Sequence, residues 1–337
     1  MDPVTHIVSG ALAGRAAADR LGTRAAYALC VLAAWLPDID NFVGLGPEAY
    51  LRHHRGVTHS LAGIVVQALL LTGVFRLFGR AFAPLKTFLL ALALLGLHLW
   101  LDVITTYGTQ LLAPFDDTRF AWGSVFIIDP FLTLGALALF GLSLRRGARG
   151  EPGRRLAVAG LALLVAYPLA CHGVRAAVAA AVPGVLAAQG LEGRPFEVAP
   201  DALTPIYWKV TVQDGDRLLV GTTTALPAAS RPLEFDAFTR ADPALLERLT
   251  REAPVFATWA WFARHPAMEP APASPDPGAE RAVHFSDVRF HSTAPPMRLL
   301  AGRRQTPFVI TAVFGPGGEL TRVLYGGQSH PLRSAGS

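Results

Sequence analysis

Trp35 to Ser60 reads WLPDIDNFVGLGPEAYLRHHRGVTHS, two aspartates (Asp38, Asp40) and three histidines (His53, His54, His59) in a short, turn-rich stretch between apolar runs. Carboxylate oxygens and neutral imidazole nitrogens are the donors from which zinc, manganese and iron sites are built. Of the ten histidines in the chain, five lie in the first hundred residues. Two other places repeat the chemistry: His6 in PVTHIVSG, and His98 with Asp102 in LHLWLDVITTYGT. His98 and Asp102 are four apart, so on a helix they share one face and can serve one ion. Without an ion the same pair reads as a structural His–Asp hydrogen bond.

The surrounding composition is that of a membrane protein. Hydrophobic residues make up 52% of the 337 and charged residues 16%, with a mean hydropathy of +0.37; this is too apolar for an ordinary soluble chain. The net charge of +5 does not point to nucleic acid, because the arginines fall in short connections between apolar runs, where bilayer orientation accounts for them. Cys30 and Cys171 both sit within apolar runs and read as small hydrophobes rather than a disulfide.

Outward from the opening stretch, Thr5 to Asp19 and Leu21 to Leu36 read as two helices, the second short for a bilayer core that asks for about 20 residues. Leu61 to Phe78 and Leu85 to Ile104 read as spans, followed by the shorter Phe131 to Leu144 and the long Leu156 to Val182. The expectation is an all-α membrane domain of about five to six apolar helices over residues 1–190, then a small soluble β-rich domain over 191–337. In that second part Ile206–Val212, Arg217–Thr223, Val283–Phe290, Phe308–Phe314 and Leu320–Tyr325 read as strands, with turns at Gly215–Arg217 and Gly315–Glu319. A proline-rich loop is expected near 266–280, chiefly Met268 to Glu280.

Loop charge predicts the orientation. Arg15, Arg20 and Arg24 surround the first connection, Arg76, Arg80 and Lys86 flank another, and Arg145, Arg146, Arg149, Arg154 and Arg155 fill a third. The positive-inside rule places these in the cytoplasm. Strict alternation then gathers His6, Asp38 to His59, and the His98/Asp102 end on the opposite face, so one metal site is expected there. Arg55 suits either a substrate phosphate or an ion pair with Asp38 or Asp40. The sequence carries no HExxH, G-x-S-x-G, P-loop or G-x-G-x-x-G signature.

The ordered set T-H-x-x-x-G (Thr5–Gly10), P-D-I-D (Pro37–Asp40), H-R-G-V-T-H-S (His54–Ser60) and H-x-x-x-D (His98–Asp102) followed by T-Y-G-T resembles the YdjM-type membrane-bound metal-dependent hydrolases of bacteria. That family is in turn distantly similar to the zinc-dependent phospholipase C and P1-type nuclease group. The resemblance implies His6, Asp38 or Asp40, His59, His98 and Asp102 as ligands. The second H-x-x-x-D/E pair of that group is missing here, so it implies one or two ions rather than three.

The expected function is therefore metal-dependent hydrolysis by an activated water, on a phosphodiester or lipid-linked substrate such as a phospholipid. The cofactor would be zinc, with manganese as the alternative. His6, Asp38, Asp40, His59, His98 and Asp102 are the candidate ligands, and Asp40, His54 and Arg55 the candidate catalytic groups. The expected location is the bacterial inner membrane, with metal site and C-terminal domain on the periplasmic side. The competing expectation is a metal-stabilised scaffold or sensor that binds a periplasmic partner. A transporter ranks last, because the polar residues cluster at one end of the spans.

Overall fold

A computed structural model describes residues 1–21, 23–42, 46–77, 83–145, 151–225, 231–271, 279–301 and 307–333. Arg80, Arg146, Arg149 and residues 272–278 of the proline-rich loop lie outside the described residues. The chain divides into two compact units: Met1–Val43, Arg55–Ala176 and Ala202–Ile206 form the first, and Gly44–His54, Ala177–Asp201 and Tyr207–Ser337 the second.

The first unit is helical. It contains α1 (Pro3–Leu21), α2 (Thr23–Trp35), a 3-10 turn Leu36–Phe42, a second 3-10 turn Val57–His59, α4 (Leu61–Leu77), α5 (Pro84–Val103), α6 (Pro130–Arg145) and the first part of α7 (Glu151–Ala187); α3 (Pro47–His53) falls in the second unit. Helix α5 packs against α2 and α4, and α1 against α2 and α6. Their shared core is built from small and aliphatic side chains, including Leu29, Ala33, Ile64, Ala68, Ala91, Leu95 and Leu99. Cys30 and Cys171 are free and buried. Asp129 accepts from the Leu132 amide and the Tyr167 hydroxyl, so it starts α6 and ties it to α7.

Two of these helices, α5 and α7, are long and apolar enough to cross a membrane, and a third span results if α4 is joined to the segment Pro47–His59, bent from it by 63°. The expectation of about five to six apolar helices thus reduces to two or three candidate spans among the described residues. Two reasons apply: α2 has 13 residues and α6 has 16, against about 20 for a bilayer core, and the 19-residue α1 carries His6, Arg15, Asp19 and Arg20. Helix α7 runs 37 residues without a break at Pro168, about 55 Å at 1.5 Å per residue.

Among the described residues the second unit is built on an antiparallel sheet of nine strands in sequential order. These are β1 (Phe196–Pro200), β2 (Tyr207–Asp214), β3 (Arg217–Thr224), β4 (Phe235–Arg240), β5 (Pro266–Pro270), β6 (Arg281–Asp287), β7 (Ile310–Phe314), β8 (Leu320–Tyr325) and β9 (Gln328–His330). Met268 to Pro270, expected in the proline-rich loop, belong to β5, where Met268 pairs with Phe285. Val288–Phe290, expected to extend a strand, form a 3-10 turn in which Asp287 accepts from the Arg289 amide. Helices α8 (Pro243–Glu252) and α9 (Pro254–Phe262) interrupt the strands between β4 and β5. The α9 face Phe256, Trp259 and Phe262 is buried, and Phe256 and Trp259 meet Phe285 of β6 edge-on. A short helix, α10 (Pro295–Ala301), lies between β6 and β7.

The helix pair α1/α2 depends on a close approach. A Cβ at Gly10 would stand 2.7 Å from the Cys30 carbonyl oxygen and 2.8 Å from Val31 Cα, whereas one at Gly73 of α4 meets nothing within 4 Å. Gly10→Ala is therefore expected to destabilise the helical unit by about 1–3 kcal/mol through overpacking against rigid backbone. Gly73→Ala should be neutral or stabilising by up to about 1 kcal/mol, since it only adds helix propensity. Thermal unfolding of both variants in lipid nanodiscs checks the contrast.

Candidate metal centre

The two 3-10 turns and one helix end build the site. Pro37 ends the helical run of α2, and the turn that follows presents Asp38 and Asp40, both buried. Gly56 leads into the turn that carries buried His59, and Ser60 Oγ then caps α4 by accepting from the Gly63 amide. Gly63 has no room for a side chain, because a Cβ there would fall 1.9 Å from the Val57 carbonyl oxygen. His98 and Asp102 stand one turn apart near the C-terminal end of α5, fully buried.

Asp38, His59, His98 and Asp102 each offer one ligand atom, and these atoms all lie within 4.8 Å of one another. His59 Nε2 is 3.1 Å from His98 Nε2. Asp102 Oδ2 is 3.3 Å from both nitrogens. Asp38 Oδ1 is 3.5 Å from His59 Nε2 and 3.9 Å from His98 Nε2. Four ligands at zinc-bond lengths on a tetrahedron would stand roughly 3.3–3.6 Å apart; His59, His98 and Asp102 stand close to that spacing and Asp38 reaches 3.9 Å from His98, so the set could hold a small divalent ion.

The hydrogen bonding around the rings fits as well. His98 Nδ1 lies 2.7 Å from the Ala34 carbonyl oxygen, which can only accept, so Nδ1 carries the proton and Nε2 turns a lone pair inward. His59 Nδ1 lies 3.0 Å from Thr58 Oγ1 and 3.4 Å from Asp40 Oδ2. Such outer partners fix the ring and its tautomer in metal sites. Buried Asp102 Oδ2 has no hydrogen-bond donor. Burial opposes charge on Asp38, yet its hydrogen bond with His59 and the nearby His98 and His6 hold its carboxyl below the usual carboxylate range. Carboxylate oxygens and imidazole nitrogens that converge in a buried space form a set that a cation could complete.

The other expected residues surround this centre in distinct ways. His6 is fully buried, stacks on the His98 ring at 3.8 Å, and comes 3.4 Å from Asp102 Oδ1. Neither of its ring nitrogens makes a hydrogen bond. Asp40 faces outward from the centre: its Oδ2 accepts from the Arg55 amide at 3.1 Å and from Thr58 Oγ1 at 3.1 Å. Arg55 pairs with Asp102 Oδ1 at 2.7 Å and also donates to the Asp102 carbonyl and to Thr105 Oγ1. The open question of its partner is therefore answered by Asp102 rather than Asp38 or Asp40. The Met1 amine also donates to Asp102 Oδ1. His54 belongs to the second unit, where its ring stacks on Tyr50 at 4.6 Å.

Arg55 has φ 57°, the left-handed region that a non-glycine residue rarely occupies. Its amide bonded to Asp40 and its carbonyl accepting from Gln110 hold it there. Residues not singled out from sequence complete the shell. Tyr107 lies under both guanidiniums, with Arg55 and Arg119 at 5.0 and 5.1 Å from its ring centroid. The T-Y-G-T run after Asp102 was the signal for Tyr107; nothing in the sequence marks Arg119.

Because Asp40 touches the Nδ1 side of His59, it is expected to orient that ring rather than to ligate. Asp40→Asn should weaken zinc affinity by roughly 10-fold or more while leaving the metal stoichiometry intact, as read by competition with a chelating dye. Unchanged affinity would remove the orienting role, and loss of one bound ion would make Asp40 a ligand.

The model of the YdjM inner membrane protein family matches residues 1–179, a stretch that holds every residue of the centre. The uncharacterized protein YfhP of Bacillus subtilis (strain 168) is 34% identical over 158 residues, which cover 44% of this chain and 48% of the relative. The match therefore spans about half the length of that curated relative. No solved structure matches. With more than half of its residues matched, the chain belongs to the YdjM inner membrane protein family.

Proposed function

We propose that the protein is a membrane-bound metal-dependent hydrolase acting on a phosphodiester or lipid-linked substrate. The observation that carries this reading is the buried convergence of Asp38, His59, His98 and Asp102 on one point. A bound zinc or manganese ion would lower the pKa of a water toward about 7 and polarise the bond to be cleaved. His59, His98, Asp102 and Asp38 would hold the ion, and His6, stacked on His98 beside Asp102, would extend the set toward a second one.

The remaining residues position these donors. Arg55 balances the Asp102 charge and, through its amide, fixes Asp40, which sets the His59 ring. The Asp38 side chain is 12% exposed whereas those of His59, His98 and Asp102 are at most 1% exposed, so water and substrate approach along Asp38. With one Asp38 oxygen on the ion, the other would be the group placed to take a proton from the attacking water. On this reading the arginine-flanked ends of the spans are cytoplasmic and the face that carries the centre is periplasmic.

A second reading has one observation in its favour: four protein donors suffice to close a structural zinc site, which would make the protein a metal-stabilised scaffold or sensor. The two readings separate on turnover. Purified protein in nanodiscs, stripped and then reloaded with zinc or manganese, is expected to hydrolyse bis(p-nitrophenyl) phosphate or a vesicle phospholipid. Asp38→Asn is expected to lose roughly 100-fold in rate. Metal retained with no hydrolysis across these substrates would leave the scaffold.

A further inference from the structure

We propose that the turn Leu112–Phe115, together with Val57 and Leu61, is sunk into the bilayer edge beside the metal centre, so that the site draws a phosphoryl-headed amphiphile from the membrane. The substrate half of this proposal rests on the hydrolase reading above; the membrane half does not.

The turn is tied directly to the site. Gln110 N donates to the Arg55 carbonyl at 2.9 Å, and Leu61 N donates to the Leu111 carbonyl at 2.9 Å. Those two bonds clamp the segment on either side of the Val57–His59 turn. Within the segment, the Phe115 amide closes back on the Leu112 carbonyl at 2.9 Å, which makes a tight, well-bonded projection. Yet its side chains face outward: Phe115 is 86% exposed, Val57 54%, Leu61 53% and Leu112 43%. Together these exposed apolar side chains make a patch of the kind that marks a membrane or partner surface.

The occupant follows from continuity. Leu61 opens α4, and the exposed side chains of that helix, Val65, Val66, Leu69 and Leu70, continue from it at helical spacing. This stripe belongs to the segment that completes a third candidate span, so its cover is lipid. The apolar turn adjoins the same stripe through Leu61 and Leu111. Asp116 and Asp117, both exposed, follow Phe115 at once and suit the headgroup layer. The turn that carries Asp38 has the same character, with Ile39 and Phe42 exposed, and it packs on the Val57–His59 turn. The one accessible ligand therefore stands among side chains that favour lipid, where the phosphoryl group of a membrane amphiphile would meet it.

Spin labels at Leu112→Cys, Phe115→Cys and Asp117→Cys, in the full chain reconstituted in phosphatidylglycerol/phosphatidylethanolamine vesicles, test the membrane half without turnover. Labelled wild type, whose Cys30 and Cys171 are buried, serves as the blank. Relaxation by oxygen should dominate at 112 and 115, and relaxation by a water-soluble nickel chelate at 117. Nickel access at 112 and 115 equal to that at 117 would overturn the proposal, and exclusion of both reagents would mean a protein cover and overturn it too. For the substrate half, Phe115→Ser should lower the rate on vesicle phospholipid several-fold and leave bis(p-nitrophenyl) phosphate hydrolysis and metal content unchanged. An equal effect on both substrates, or none, would reject entry from the membrane. A wild type that hydrolyses neither substrate would reject the hydrolase reading and with it the substrate half, while the spin-label result would still decide where the turn lies.

Discussion

Two carboxylates and two imidazoles face one another inside a helical unit, and the surrounding structure exists to keep them there. Asp102 Oδ2 lies 3.3 Å from the inward nitrogens of both His59 and His98 and receives no hydrogen bond. Such a buried group costs several kcal/mol unless a positive charge sits among the donors. On the other side of Asp102, Arg55 supplies one such charge through Oδ1. The inward side could take another from an ion held by Asp38, His59, His98 and Asp102.

The fold meets that requirement with rigid parts. One wall is α5, whose four-residue spacing sets His98 and Asp102 on one face. The other wall is irregular backbone, two 3-10 turns braced by a network in which Asp40 receives bonds from Arg55 and Thr58 and faces His59. Close helix approach at Gly10 and the absence of a side chain at Gly63 let these pieces meet. Arg55 links the walls: its backbone, held in an unfavourable conformation, reaches Asp40, and its guanidinium reaches Asp102. The same residue anchors the loop that carries Leu112 and Phe115, so the metal centre and the apolar turn share one brace.

Much of this was legible in the sequence. The His/Asp motifs identified the residues that converge, because imidazoles and carboxylates in apolar surroundings have few structural uses. The hairpin turns at Gly215 and Gly315–Glu319 came from turn chemistry, and the structure places β2/β3 and β7/β8 around them. What sequence left open was direction. The pair Asp38-Ile-Asp40 does not say which carboxylate meets which side of the His59 ring, and only the 3-10 geometry decides it. His54 beside His53 read as chemistry, whereas it closes α3 and stacks on Tyr50. Helix α8 carries its start signal in Asp242, which caps it, and Pro243, which begins it, without an apolar run that would mark it as an element of the core. Strand β4 pairs with β5 through only Thr239 and Arg240, too little regular pairing to leave a clear pattern.

The most direct test of the account is metal content per chain, by elemental analysis of detergent-purified protein beside His59→Ala and Asp102→Ala. The account requires zinc or manganese bound stoichiometrically by the wild type and lost in both variants, with all three proteins still folded. A wild type that binds neither ion when purified without chelator and offered both would contradict it, and would leave the buried cluster as a polar brace of the helices.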